Sequence, residues 1–297
     1  MSIAGIDSIT YGVEDLPTCR RFFLDWGLKL VRESGEALDF ETLNGCEVLV
    51  RPKDDPGLPP AIEPGSTLRQ IVWGVDSAAE LQRLQGGLPK VDPNGLGIGL
   101  RVTRKRELDV KGVPINAWGQ PGRGVNRRSM FYERAEPIEV GHAVFFTDRL
   151  AEVERFYVDK LGFCVSDRYP ERGVFLRCSP EGGHHDLFLL QPAAAKRGLN
   201  HVAFAVRDIH EVFGGGLHIS RCGWETELGP GRHPISSAYF WYVKNPAGAL
   251  AEYYTDEDQL DGAWQPREFQ QAPEVFAEWA VVGGIDGCTR RARSAPE

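Results

Sequence analysis

The sequence has no excess of positive charge, no Cys-x-x-Cys pair, no long apolar run and no histidine before position 142. Each absence excludes something. Lys and Arg number 34 against 42 for Asp and Glu, giving a net charge of -8, and the basic residues are scattered. Such a chain carries no electrostatic footprint for a nucleic-acid backbone. A membrane-spanning helix needs roughly 18 consecutive apolar residues, and no such run exists. The first residues, MSIAGIDSITYGVEDL, lack the basic region and apolar stretch of a leader, so a membrane-free, cytoplasmic protein is expected. The cysteines, Cys19, Cys46, Cys164, Cys178, Cys222 and Cys288, lie far apart. That spacing gives no signal for a structural zinc ribbon or a redox couple, and buried free thiols are expected.

What is present is a chain of 297 residues, 42% hydrophobic, enough for one large core or two medium ones. All seven histidines, at 142, 184, 185, 201, 210, 218 and 233, fall in the later part. The segment SITYGVEDLPTCRRFFLDWGLKLV from Ser8 parallels HAVFFTDRLAEVERFYVDKLGFCV from His142. Each reads as an alternating strand, a turn with an acid, then a helix. In the second helix Leu150, Val153, Phe156, Tyr157 and Leu161 recur at the spacing of one buried face, as Leu16, Phe22 and Phe23 do in the first. Gly27 and Gly162 mark the helix ends. A second echo pairs QIVWGVDSAAEL from Gln70 with HVAFAVRDIHEV from His201. A third pairs VDPNGLGIG, ending at Gly99, with KNPAGALAE, ending at Glu252. The unit is strand, helix, then several strands, used four times at a period of roughly 55 to 65 residues.

This pattern resembles the vicinal oxygen chelate fold over about residues 5 to 258. The resemblance implies an α+β architecture of four βαβββ modules paired into two half-open β-barrel domains. The expected division is 1–135 for a first domain without metal ligands and 136–262 for a catalytic one. Residues 263–297 would add a helix around Pro273 to Val282 and a polar tail.

The repeat is its own control. Where the second half has His142, His201 and Glu252, the first has Ser8, Gln70 and Gly99, none a good transition-metal ligand. Two neutral imidazoles and a carboxylate form the facial triad suited to non-haem Fe(II), with open positions left for substrate and dioxygen. Each histidine opens a strand, in GHAVFF and NHVAFAV, and Glu252 lies in ALAEYY. Alternation turns the three inward. A lone strand histidine is more often a hydrogen-bonded surface group, but three ligand-type residues at matching module positions outweigh that reading.

The stretch GRHPISSAYFWYVKNPAGALAE, from Gly231 to Glu252, resembles the signature of type I extradiol ring-cleavage dioxygenases. His233, Tyr242, Asn245, Pro246, Gly248 and Glu252 fall in register, while Trp241 stands where a smaller apolar residue is usual. The resemblance implies a catechol and O2 as substrates, cleavage beside the diol, and Fe(II) as cofactor with Mn(II) as the other candidate. Tyr242 would bond a substrate oxygen, and His233 would line the pocket. Of the pair His184 and His185, the second matches the family position of a catalytic histidine that gives or takes a proton. His210 and His218 have no motif support and read as structural or solvent-exposed. Phe188, Phe240, Trp241 and Trp264 are candidates to cover an aromatic ring, and Arg232 to receive a carboxylate. A homo-oligomer is expected from the resemblance. The competing readings are a glyoxalase-like isomerase or transferase on the same fold, and a metal-free ligand-binding or resistance protein.

Overall fold

The computed structural model describes residues 3–270 and 272–282. The first module is β1 (Ile3–Val13), α1 (Leu16–Asp25), β2 (Lys29–Ser34), β3 (Ala37–Glu41) and β4 (Glu47–Pro52). The second is abbreviated to β5 (Thr67–Val75), α2 (Ala78–Gln85) and β6 (Gly97–Val102). The chain then makes only a minimal hairpin, β7 (Asn116–Ala117) with β8 (Gln120–Pro121). Charges, prolines and glycines from Arg104 to Arg128 break the apolar alternation that two more strands would need.

The third and fourth modules are complete. They comprise β9 (Glu139–Phe146), α3 (Leu150–Leu161), β10 (Cys164–Tyr169), β11 (Gly173–Arg177), a two-residue β12 (Gly182–Gly183) and β13 (Leu187–Leu190), then β14 (Gly198–Ala205), α4 (Ile209–Arg221), β15 (Thr226–Arg232), β16 (Tyr239–Lys244) and β17 (Leu250–Thr255). Two short strands, β18 (Gln259–Leu260) and β19 (Arg267–Glu268), follow.

The helix expected over 273–282 is a single turn, α5 (Pro273–Phe276), after which β20 (Trp279–Val282) pairs antiparallel with β15. Trp and Val are strand formers, and the open edge of β15 offers unpaired backbone groups, so pairing wins over continued helix. The expected polar tail and Cys288 lie outside the described residues.

Two open sheets result, a six-stranded one in the order β2-β3-β4-β1-β5-β6 and a ten-stranded one in the order β19-β10-β11-β13-β9-β14-β17-β16-β15-β20. The halves share one pairing scheme. β1 is antiparallel to β5 and parallel to β4, as β9 is to β14 and β13; β5 is parallel to β6, as β14 is to β17.

Local signals place the helices. Asp15 caps α1 by accepting from the Thr18 amide, and Asp208 caps α4 by accepting from that of Glu211. Gly162 ends α3 with a φ of 76°, a left-handed conformation that costs glycine little. The halves share a core. Trp26 stacks on Tyr253 at 3.6 Å, Tyr253 donates to the Trp26 carbonyl, and Trp73 packs edge-on against Phe163.

α4 lies against the outer face of the second sheet through Gly215, which faces Tyr253, and Gly216, which faces Trp241. A Cβ on Gly216 would come within 2.1 Å of the Trp241 ring. Gly216 is what makes room for the oversized Trp241.

Candidate metal centre and active site

His142, His201 and Glu252 come from three neighbouring strands, β9, β14 and β17. Ala203 pairs with His142 on one side and with Glu252 on the other, and His201 lies two residues earlier on the same face of β14. The two histidines each sit in the middle of their strand rather than at its start. In the first half Val72 pairs with Ser8 and Gly99, and Gln70 lies two residues earlier. The registers therefore superpose Ser8, Gln70 and Gly99 on His142, His201 and Glu252, as the internal repeat predicts.

The three side chains converge. Glu252 Oε2 lies 3.1 Å from His201 Nε2 and 3.3 Å from His142 Nε2, and the two nitrogens are 3.4 Å apart. All three residues are buried, Glu252 to 1% exposure. Donors about 2.1 Å from one ion are about 3.0–3.4 Å from each other at octahedral or tetrahedral angles, so the spacing fits a single small cation.

The protonation states fit as well. His201 Nδ1 lies 2.6 Å from the Asn200 side-chain oxygen and donates to it, which leaves the Nε2 lone pair facing the carboxylate. His142 Nδ1 and Glu252 Oε2 have no hydrogen-bond partner among the described residues. Burial, reinforced by His185, pushes the His142 pKa down to about 3, and burial lowers that of His201. Desolvation pushes Glu252 up, yet the facing imidazoles of His142, His201 and His233 hold it well below the usual carboxylate range. Two neutral imidazoles and an anion, buried and facing each other, are the state a divalent ion requires.

These donors form one wall of a cavity of about 120 Å³. Tyr242, on β16 opposite Glu252 in the ladder, lines it, as do His233 and His185. His233 donates from Nδ1 to the Phe276 carbonyl at 2.6 Å, so its Nε2 accepts the Tyr242 hydroxyl at 2.9 Å. Desolvation, then the nearby Glu252 charge, holds the Tyr242 pKa well above its ordinary value. The His185 ring lies 4.1 Å from that of His142, and its Nδ1 faces Glu257 at 3.3 Å and His184 Nδ1 at 3.2 Å. His184 is fully buried outside the cavity lining and bonds Asp167, which also holds Arg267.

Not every expected lining residue is there. Phe188 lines the cavity, stacked on Phe175. Phe240 instead lies beneath His233 at 4.1 Å, Trp241 faces α4 on the other side of the sheet, and Trp264 bonds the Ser166 carbonyl under Arg267. Arg232 is turned to Glu278 on the surface. Alternation along β16 separates Trp241 from Tyr242. Asn200 and Glu257 were missed. The Asn-His step at 200–201 is a signal for the first, whereas Glu257 sits in an acidic run that reads as a solvated turn.

Residues 139–253 match the family model of the Glyoxalase/Bleomycin resistance protein/Dioxygenase superfamily. These residues form a domain of that superfamily. Metapyrocatechase 2 of Cupriavidus necator is 32% identical over 199 residues, covering 66% of this chain and 61% of that protein. The chain thus spans about three fifths of that relative's length. A 2,2',3-trihydroxybiphenyl dioxygenase of Sphingomonas paucimobilis is 30% identical over 118 residues, 38% of this chain and 40% of the other. Among solved structures, the Mn(II)-bound glyoxalase of Novosphingobium aromaticivorans superposes with a TM-score of 0.76 at 22% identity, covering 97% of this chain and 95% of that one. This likeness establishes the fold, mixed α+β with many strands and few helices. The superfamily domain contains all three converging donors, Tyr242, His233 and His185. No helix among the described residues is long and apolar enough to cross a membrane.

Proposed function

We propose that this protein is an extradiol ring-cleaving dioxygenase, which opens a catechol with O2 at the bond beside the diol. The observation that carries this reading is the mutual 3.1–3.4 Å spacing of three unprotonated buried donors in the wall of an aromatic-lined cavity. His142, His201 and Glu252 would hold the ion, iron(II) by preference and manganese(II) as the other candidate. When bound, the metal supplies a Lewis-acidic, redox-capable centre with positions free for the diol and dioxygen. The names of the two curated relatives support the reading. In this assignment residues 136–262 carry the chemistry, and residues 1–135 buttress it through the shared core.

The protein's own residues divide the remaining work. Tyr242, kept protonated, holds one diol oxygen by hydrogen bonding, and His233 fixes the direction of that hydroxyl. His185, with Nδ1 engaged by Glu257 and His184, offers Nε2 to the substrate and is the group that takes and returns a proton. Asn200 fixes the His201 tautomer.

The lining also selects the substrate. Among the described residues it contains no Lys or Arg, and its carboxylates, Glu252 and Glu257, repel a second anion. Apolar cavities of about 150 Å³ accept benzene. At about 120 Å³ the cavity has room for little beyond one ring, so a single-ring catechol with at most a small neutral substituent is the substrate class, rather than a carboxylated one.

The test is anaerobic loading with Fe(II), then catechol, methylcatechols, protocatechuate and 2,3-dihydroxybiphenyl under O2. Oxygen uptake with a yellow product from the small neutral catechols is expected. No uptake across the panel, or turnover unchanged in His142→Ala, would overturn the assignment.

A further inference from the structure

The C-terminal ends of α1 and α4 meet at the junction of the two halves, in a place that shares no residue with the cavity. Asp25 is the last residue of α1, His218 stands in the last turn of α4, and Cys222 caps that helix. Four residues apart on one helix, His218 and Cys222 share a face. Cys222 Sγ lies 3.5 Å from His218 Nε2, and an Asp25 carboxylate oxygen completes a group whose ligand atoms all lie within 4.8 Å of one another.

Three features bear on what this group can hold. A tetrahedral zinc with Zn–S of about 2.3 Å and Zn–N of about 2.0–2.1 Å sets sulfur and nitrogen about 3.5 Å apart, which is the separation found. Asp25 Oδ2 accepts from Trp224 Nε1 at 2.8 Å, the kind of outer hydrogen bond that orients a ligating carboxylate. Both helices also direct their negative C-terminal dipoles to this spot, which favours a cation. The competing charge nearby, Arg21, is laid over the Trp224 ring at 4.2 Å.

We propose that Asp25, His218 and Cys222 form a second metal site, selective for a borderline-soft divalent ion such as zinc, which ties the first half to the second. The ligands come from two segments nearly 200 residues apart, which is why cysteine spacing alone gives no sign of the site. A water completes the four-coordinate shell, and the half-buried position leaves the ion open to exchange. Binding releases the Cys222 proton to solvent as the thiolate forms.

The experiment titrates the metal-stripped full-length protein anaerobically with Co(II) and Zn(II). A thiolate-to-cobalt charge-transfer band is expected in the wild type and in Glu252→Gln, and absent in Cys222→Ser and His218→Gln. Zn(II) should protect Cys222 from iodoacetamide in the unaltered protein, read by peptide mass spectrometry. Trp224→Phe, which keeps all three ligands, should weaken Zn(II) binding roughly 10–100-fold. Persistence of the band in Cys222→Ser, or alkylation of Cys222 at the same rate with and without Zn(II), would overturn the proposal. Neither readout depends on catechol turnover.

Discussion

The metal-free protein should lose stability as the solution is acidified from pH 7 to pH 5, where buried imidazoles outweigh the buried carboxylate of Asp92, which burial raises to a pKa of about 6. His142, 4% exposed, is pushed by burial to a pKa of about 3, and His184, fully buried, to about 4 despite its bond to Asp167. In the unfolded chain each titrates near 6.5. Between these values the unfolded state binds more protons than the folded one, so stability rises with pH and falls on acidification. Integrating between pH 7 and pH 5 gives about 2 kcal/mol for each imidazole, or about 4 kcal/mol together, of which Asp92, binding its proton more tightly in the folded state, offsets about 1 kcal/mol. His201, also lowered, adds in the same direction. Glu252, held low, contributes stability that is lost only at still lower pH. With a urea slope of about 3 kcal/mol per molar, the unfolding midpoint in chelator should drop by about 1 M. His142→Gln, which removes one of these buried imidazoles, should leave a clearly smaller drop. A midpoint that is unchanged or rises between pH 7 and pH 5 would refute the reasoning.

Glu252→Gln should abolish stoichiometric iron uptake and turnover together, measured by metal analysis and oxygen consumption, while leaving the fold intact by circular dichroism. Tyr242→Phe should keep the metal but lower kcat by about 10²-fold, because only the hydroxyl bonded to His233 is removed. Gly216→Ala should destabilise the protein by about 2 kcal/mol. Overpacking against Trp241 costs about 3 kcal/mol and the better helix former returns about 1. Added Trp241→Leu should reverse the loss in urea melts, and a single Gly216→Ala variant as stable as wild type would contradict the packing argument.

Much of the site was legible because it depends on the kind of residue at repeated positions. His142, His201 and Glu252 stood out against Ser8, Gln70 and Gly99, and the ladder registers place the two sets in equivalent places. The helices were legible from their caps and buried faces. What remained hidden depended on partners distant in sequence. The strand at Trp279–Val282 forms because β15 presents an edge, which no local pattern records. The thiols were expected to be buried; Cys19, Cys46 and Cys178 are, whereas Cys164 and Cys222 are partly exposed. Glu257 reaches the cavity only through the turn after β17.

Trp241 illustrates why a departure from a motif must be read against the whole chain. On β16 it alternates with Tyr242, so a bulky ring at 241 points away from the cavity and cannot crowd the substrate. The volume has to be accommodated by α4, and Gly216, costly to helix stability, becomes intelligible as the other half of that exchange. Gly214 and Gly215 instead give way to the Tyr132 carbonyl and to Ala135 and Tyr253. The Trp241 indole donates to Thr226 Oγ1 at 2.9 Å, which fixes the ring across β15 and β16. Tyr242 and Glu252 form the next rung of the same ladder, so the packed Trp241 supports the strands that carry them. The substitution thus leaves the chemistry of the cavity unchanged and alters the support beneath it.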